Sequence, residues 1–296
     1  MNIFVTGATG FVGSAIVSDL LSAGHRVLGL TRSDEGARSL IDAGAEAHRG
    51  DLEDLESLRH GAAMADGVIH AAFNHDFSRF AENAEADRRA IAAIGDVLAG
   101  SDRPFIVTAG LPLAPPGRPA TEDDAPPAPG GSPRVSEQAA TALVARGVHV
   151  SVVRMSQVHD RDKQGLATYM IEVAREKGVL AYVGTGLNRW PAVHRLDAAR
   201  IYRLALEKGS AGAKYHAVTE EGVSVREIAE AIGRGLKIPT VAMPPDEAAG
   251  HFGWLAFPVG MDAPASGALT QQRLGWHPTK KPGIVADLDR SNAFDA

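Results

Sequence analysis

Gly7-Ala8-Thr9-Gly10-Phe11-Val12-Gly13 lies between a short apolar run, Asn2 to Thr6 (NIFVT), and a stretch of helical spacing, Phe11 to Ala23. Glycines at three-residue intervals between a strand and a helix suit one chemical task, the holding of a phosphate. Gly7 permits a tight turn, Gly10 lets the backbone approach a pyrophosphate, and Gly13 lets helix and strand pack closely. The anion rests on N–H groups at the positive helix end. Thr9, Phe11 and Val12 are therefore candidate cofactor contacts beside the glycines. A glycine turn without a ligand is the competing reading, and the strand-turn-helix context favours the nucleotide.

The second apolar run ends Leu30-Thr31-Arg32-Ser33, with no acid at its tip. An acid about 20 residues after the glycines is the usual partner of a ribose 2′-OH. Arg32 is instead a permanent planar cation suited to a 2′-phosphate, and Thr31 and Ser33 add hydroxyls. NADP(H) is the favoured cofactor. NAD(H) stays open if Arg32 is only solvated and Asp34 or Glu35 serves the ribose. Further on, Gly50-Asp51-Leu52 offers an acceptor for an adenine amino group and an apolar contact for its ring. His70-Ala71-Ala72-Phe73 closes another apolar run with small residues that let a cofactor lie close; His70 itself reads as a structural histidine.

These residues need a frame. Strand-like runs are expected at 2–6, 26–30, 45–50, 66–71, 104–108, 148–154 and 214–218. Helices are expected at 11–23, 34–43, 55–60, 79–99, 197–207 and 224–236. Asp197 is a candidate N-cap, and Ser224 with Glu227 spells a capping box. Alternation of strands and helices implies an α/β fold: a Rossmann doubly wound parallel sheet of about seven strands. The expected division is an NADP-binding part over 1–154, completed by 196–218. A smaller substrate part over 155–195 and 219–296 closes over it. Strands are doubtful after Pro239, where proline and glycine are frequent, and 112–133 is a proline-rich loop.

The 296 residues are 45% hydrophobic, enough for a sizeable core. The net charge of -6 and scattered basic residues point away from nucleic acid and anionic membranes. Cysteine is absent, which removes disulfides and thiolate chemistry. No secretion signal or bilayer-spanning run is read, so a cytoplasmic protein is expected, as monomer or homodimer. The histidines are dispersed without HExxH, so no metal is expected, and there is no GxSxG.

Taken together, GATGFVG, GDL, VIHAA, RGVHVSVVR, HRLDAARIYRLALE, REIAEAIG and LGWHP resemble the short-chain dehydrogenase/reductase superfamily. The likeness is to its extended and atypical branch, the NAD(P)-dependent epimerase/dehydratase-like proteins, and it spans nearly the whole chain. It implies hydride transfer assisted by a Ser or Thr after the fifth strand and a Tyr-x-x-x-Lys pair on the next helix. The Tyr moves the proton, and the Lys lowers its pKa and binds the nicotinamide ribose.

This chain departs from that pattern. Tyr169, Tyr182, Tyr202 and Tyr215 are its only tyrosines, and none has Lys four residues on. If Glu137 matches the Glu of the family's Lys-x-x-x-Glu, the Lys and Tyr positions fall on Pro133 and Pro129. Thr108 keeps the hydroxyl after the fifth strand. Candidate proton donors are Thr108, His159, His194 and Tyr169, with a structural role the competing reading of each histidine. Arg134 opens the helix and could reach the cofactor or an anionic substrate group. Met155 and Val158 would shape the nicotinamide side, and Tyr169, Asn188, Arg189 and Trp190 the substrate pocket. The expected function is NADPH-dependent reduction of a small, mainly apolar carbonyl or activated C=C or C=N bond. The alternative is a non-catalytic NADP(H)-binding regulator. Sugar-nucleotide epimerisation or dehydration fits less well, because it relies on the missing Tyr.

Overall fold

A computed structural model describes residues 1–126, 134–280 and 282–294. Pro129 and Pro133 lie outside the described residues. The strands are β1 (Asn2–Thr6), β2 (Arg26–Thr31), β3 (Glu46–Arg49), β4 (Gly67–His70), β5 (Phe105–Gly110) and β6 (Val150–Met155), followed by β7 (Gln157–His159), β8 (Leu180–Val183), β9 (Arg189–His194), β10 (Lys214–Ala217), β11 (Glu220–Ser224) and β12 (Thr240–Met243). The first six helices are α1 (Phe11–Ser22), α2 (Asp34–Asp42), α3 (Leu55–Ala63), α4 (Phe80–Leu98), α5 (Ser136–Val144) and α6 (Leu166–Lys177). The others are α7 (Arg195–Lys208), α8 (Val225–Leu236), α9 (Ala248–Phe252), α10 (Ala256–Gly260), α11 (Ala268–Leu274) and α12 (Ile284–Leu288).

Seven strands form one sheet in the order β10-β6-β5-β4-β1-β2-β3, and every pair is parallel. A parallel sheet is covered on both faces, so its strands are near-continuous apolar runs. One face packs Ile3, Val5 and Ile69 with residues of α1 and α7. The other packs Phe4, Val68 and Phe105 with residues of α3, α4 and α5. From β1 the chain builds outward to β3, then crosses to β4 on β1's other side. The strand order reverses there, and open α/β sheets bind ligands outside the carboxyl ends of such strands. The register aligns those ends: Thr6 lies beside His70, and Gly110 beside Met155.

A second body of structure follows β6. Strand β9 pairs parallel with β7 and antiparallel with β11. Its Trp190 is buried in a third core with Ile228 and Ile232 of α8. The expected capping box is present: Ser224 Oγ accepts from Glu227 N, and Glu227 Oε2 accepts from Ser224 N, both at 3.2 Å. Two local expectations are corrected. Residues 240–243 form a strand, because β12 finds a parallel partner in β8. Helix α7 begins at Arg195 with His194 as N-cap. Asp197 is buried inside it and accepts from Thr279 N and Lys280 N, both at 2.9 Å. It ties the C-terminal segment down instead of capping. No helix among the described residues is long and apolar enough to cross a membrane.

Candidate active site

The glycine loop has the shape its spacing implies. Gly7 has φ +69°, and a Cβ on it would stand 2.8 Å from Ala72 N. A Cβ on Gly13 would stand 1.8 Å from Gly7 O, so the α1 backbone can lie this close only as glycine. No side chain caps α1, and its first turn carries no acid. The positive end of this helix is therefore kept for an anion. The cradle fits a dinucleotide pyrophosphate. Arg195 flanks the loop, its guanidinium 4.9 Å from the Phe11 ring centre and 3.1 Å from Asp160.

At the adenosine end, Arg32 keeps 81% of its side chain exposed, with Nε 3.7 Å from Asp51 Oδ2. Asp51 Oδ1 accepts from Glu53 N at 2.9 Å, so this acid also shapes its own turn. Ser33 Oγ caps α2 by accepting from Gly36 N at 3.0 Å. Thr31 is buried, which corrects its reading as a phosphate hydroxyl. Asp34 pairs with Arg49 at 3.1 Å. Leu52 is half-buried against the α3 side of the sheet.

A buried chain of hydrogen bonds crosses the carboxyl edge. Ala72 N donates to Thr6 Oγ1 at 3.3 Å, and Thr6 Oγ1 meets His70 Nδ1 at 2.8 Å. His70 Nε2 meets Asp87 Oδ1 at 3.0 Å, Ser136 Oγ donates to Asp87 Oδ2 at 2.5 Å, and Arg134 Nε donates to Ser136 Oγ at 3.2 Å. One set of hydrogens satisfies every link. With the His70 proton on Nε2 facing the Asp87 carboxylate, Nδ1 receives the Thr6 hydroxyl. The chain ties the loop beside Gly7 to the start of α5. It accounts for His70 as a structural residue.

Arg134 is half-buried, with its guanidinium 4.4 Å over the Phe73 ring and Nη2 3.4 Å from Thr108 O. Burial pulls its pKa below the ordinary value, and Asp87 opposes that. A guanidinium stays charged through such a shift. Thr108 Oγ1 donates to His70 O at 2.8 Å and meets Tyr202 OH at 2.8 Å. The threonine hydrogen is committed to the carbonyl, so the Tyr202 hydroxyl is the donor between them. Thr108 thus offers a substrate an acceptor and no donor. Tyr202 is fully buried, and burial raises its pKa above the ordinary range.

Glu137 of α5 is buried. Arg154 Nε and Nη2 donate to its two oxygens at 2.9 and 2.7 Å. Arg154 also donates to Asp124 O at 2.9 Å, Glu122 O at 3.3 Å and His216 Nε2 at 3.1 Å. All five guanidinium N–H groups are used, and the segment after β5 is pinned to the sheet.

Several expected site residues lie elsewhere. His159 is 1% exposed, with Nδ1 2.7 Å from Asp287 Oδ2 and Nε2 3.7 Å from Glu220 Oε2. It packs between β11 and α12, where no substrate reaches it, so its reading as proton donor is corrected. His194 Nδ1 accepts from Leu196 N at 3.2 Å, which leaves its proton on Nε2. Burial lowers both histidine pKa values. Trp190 is 1% exposed and donates to Pro258 O, a core residue rather than a pocket wall. The Asn188 amide donates to Val259 O and Met261 O, and Arg189 pairs with Asp262 at 2.9 Å. Both knit the second body together, which corrects their reading as pocket residues. Val158 is likewise core, while Met155 and Ala71 are half-buried at the edge. Tyr169 meets two rings not among the expected site residues, Phe77 and Trp254. A signal for them existed: Phe73, Phe77 and Phe80 fall within eight residues of a chain with 9 phenylalanines.

A glycine cradle for a phosphate at the carboxyl edge of a doubly wound parallel sheet is the mark of an NAD(P)-dependent oxidoreductase. The chain belongs to the NAD dependent epimerase/dehydratase family, whose profile matches residues 3–219. It is 48% identical over 290 residues to an uncharacterized protein of Schizosaccharomyces pombe, covering 97% of this chain and 98% of that one. It is 28% identical to the 4-hydroxy-2-methyl-3-oxo-4-farnesyl-3,4-dihydroquinoline-1-oxide ketoreductase of Stigmatella aurantiaca, over 90% of this chain and 84% of that one. Its fold matches DesIV, a dTDP-glucose 4,6-dehydratase from Streptomyces venezuelae with NAD and TYD bound. The TM-score is 0.78 at 19% identity, over 99% of this chain and 96% of that one.

Proposed function

We propose that the protein is an NADPH-dependent reductase of a small, mainly apolar carbonyl compound, or of an activated C=C or C=N bond. The observation that carries this reading is the carboxyl edge itself. It presents a half-buried arginine and aromatic rings, in a chain without the Tyr-x-x-x-Lys pair that sugar chemistry relies on. The dinucleotide, when bound, supplies the hydride. Arg134, held by Ser136 and Asp87, places a fixed positive charge beside Thr108, where it stabilises negative charge developing on the substrate oxygen. Water is the proton source we favour, because Thr108 has no hydrogen to give and Tyr202 is sealed in the core. His194 Nε2–H and the Tyr169 hydroxyl are the remaining side-chain candidates. A relative that is a ketoreductase supports carbonyl reduction over epimerisation.

The reading is tested by NADPH oxidation, followed at its absorbance band, against ketones, aldehydes, enones and imines. Tight NADPH binding with turnover of none would assign the chain to the non-catalytic binding proteins. The NADP(H) preference rests on Arg32, which is exposed at the tip of β2. Arg32→Ala is expected to weaken NADPH by roughly 10- to 100-fold, the worth of a charged hydrogen bond, and to leave NADH nearly unchanged. Equal weakening of both cofactors, measured by titration of NAD(P)H fluorescence, would remove the 2′-phosphate role.

A further inference from the structure

Half-buried Arg195 stands beside the glycine loop with most of its donors unspent. It opens α7, and the packing of α7 along α1 brings it to the first turn of α1. Its guanidinium lies over the Phe11 ring at 4.9 Å, and Nη1 donates to Phe11 O at 3.5 Å, the long limit of a hydrogen bond. Nε is 3.1 Å from Asp160 Oδ2 without the alignment of a hydrogen bond. Nη2 has no partner among the described residues. Arginines that hold this fold together behave otherwise. Arg154 spends all five N–H groups, and half-buried Arg103 donates from Nε, Nη1 and Nη2 to Ser101 Oγ, Ala62 O, Ala65 O and Val97 O. Asp160 is itself fixed, since its Oδ1 accepts from Asp162 N at 2.8 Å and Lys163 N at 3.1 Å.

The loop beside it is short of positive charge. The first N–H groups of a helix have no partner inside it, and no side chain caps α1. Together they offset only about half a charge. A dinucleotide pyrophosphate bears a negative charge on each phosphate. Arg195 brings a whole positive charge to the same end of α1, and a guanidinium stacked on a ring keeps its edge N–H groups open for a bidentate anion. We infer that Arg195 is a pyrophosphate ligand, its Nη groups binding the phosphates that the start of α1 receives. The inference rests on the dinucleotide reading of the loop. Asp160, from the segment between β7 and α6, holds the guanidinium at the loop in the absence of the anion. Its carboxylate then competes with the phosphates for one cation. An acid that only tied the second body to α1 would not compete, so the two roles give opposite outcomes when Asp160 is neutralised.

The test is calorimetric binding of NADP+, NAD+ and ADP-ribose to the full chain. ADP-ribose carries the pyrophosphate but neither the nicotinamide nor a 2′-phosphate. Arg195→Met, which keeps an apolar contact for Phe11, is expected to weaken all three by a common factor, roughly 10- to 100-fold. Arg195→Lys keeps the charge without the fork and should recover part of the loss. Asp160→Asn retains an oxygen for its own turn and should bind all three at least as tightly as the parent. In the unaltered protein, ADP-ribose should shield Arg195 from phenylglyoxal, read by mass spectrometry of its peptide, a measurement that needs no variant to fold. Unchanged binding by Arg195→Met, a loss confined to NADP+, a loss in Asp160→Asn as large as in Arg195→Met, or labelling that ADP-ribose leaves unchanged would overturn the inference. A parent that binds none of the three overturns the dinucleotide reading with it. A parent that binds all three with the expected losses but reduces no carbonyl, alkene or imine removes the reductase reading and leaves Arg195 as a ligand.

Discussion

Replacing Glu137 by alanine is expected to destabilise the protein by about 3–5 kcal/mol, the cost of leaving a buried charge without its partner. Arg154 is 0% exposed and has no route to water. Glu137 receives two of its five N–H groups, and no other acid lies within ion-pair distance of it among the described residues. The variant would strand a guanidinium inside the sheet and loosen the segment that Arg154 holds through Asp124 O and Glu122 O. Glu137→Gln preserves shape and one acceptor, and is expected to cost less, about 1–3 kcal/mol. Urea unfolding checks both: the midpoint should fall in that order with the slope unchanged. A midpoint for Glu137→Ala within experimental error of the parent would show that the ion pair contributes nothing.

The second large effect is a loss of stability on mild acidification, centred on His216. This ring is fully buried, with Nδ1 2.9 Å from Ser266 O and Nε2 3.1 Å from Arg154 Nη1. The carbonyl fixes the proton on Nδ1, so Nε2 must accept from the guanidinium. Protonation would set Nε2–H against the N–H of Arg154. Burial, and then the Arg154 charge, hold the folded pKa down to about 4. The unfolded ring protonates near 6.5. Between those values the unfolded chain holds more protons than the folded one, so stability rises with pH across the window. It is full above the unfolded pKa and falls by about 3 kcal/mol as pH drops from roughly 6.5 to 4. His216→Gln keeps an acceptor for Arg154 and should flatten that slope. Unfolding midpoints at neutral pH and near pH 4.5 measure it, and an equal slope in parent and variant would remove His216 as its source.

Much of the frame was legible in the chain. The glycine loop, the apolar runs of the parallel sheet and the capping box of α8 depend on residues a few positions apart, and local geometry dictates their form. Glu137 was readable at its helical position, but its partner Arg154 was not, since 17 residues and a strand crossing separate them. The expected second-body pocket failed for a physical reason. Trp190, Asn188 and Arg189 combine an aromatic with polar groups as a binding site does, yet that combination also knits a small core. Their partners at 258–262 decide between the two roles. Strand β12 was missed because four residues carry little signal until β8 lies beside them.

The sequence by itself determined a parallel α/β fold, a dinucleotide cradle and the lack of a Tyr-Lys pair, because each follows from residue type and short-range spacing. Tertiary structure alone decided what stands around the carboxyl edge of the sheet. It brought Arg134 over Phe73, tied it through Ser136 and Asp87 to His70, and set Phe77 against Trp254. Those contacts join positions 17 to 177 residues apart in the chain, apart from the local Arg134–Ser136 link. Only the folding of the sheet, with the second body packed against its edge, makes such distant residues neighbours.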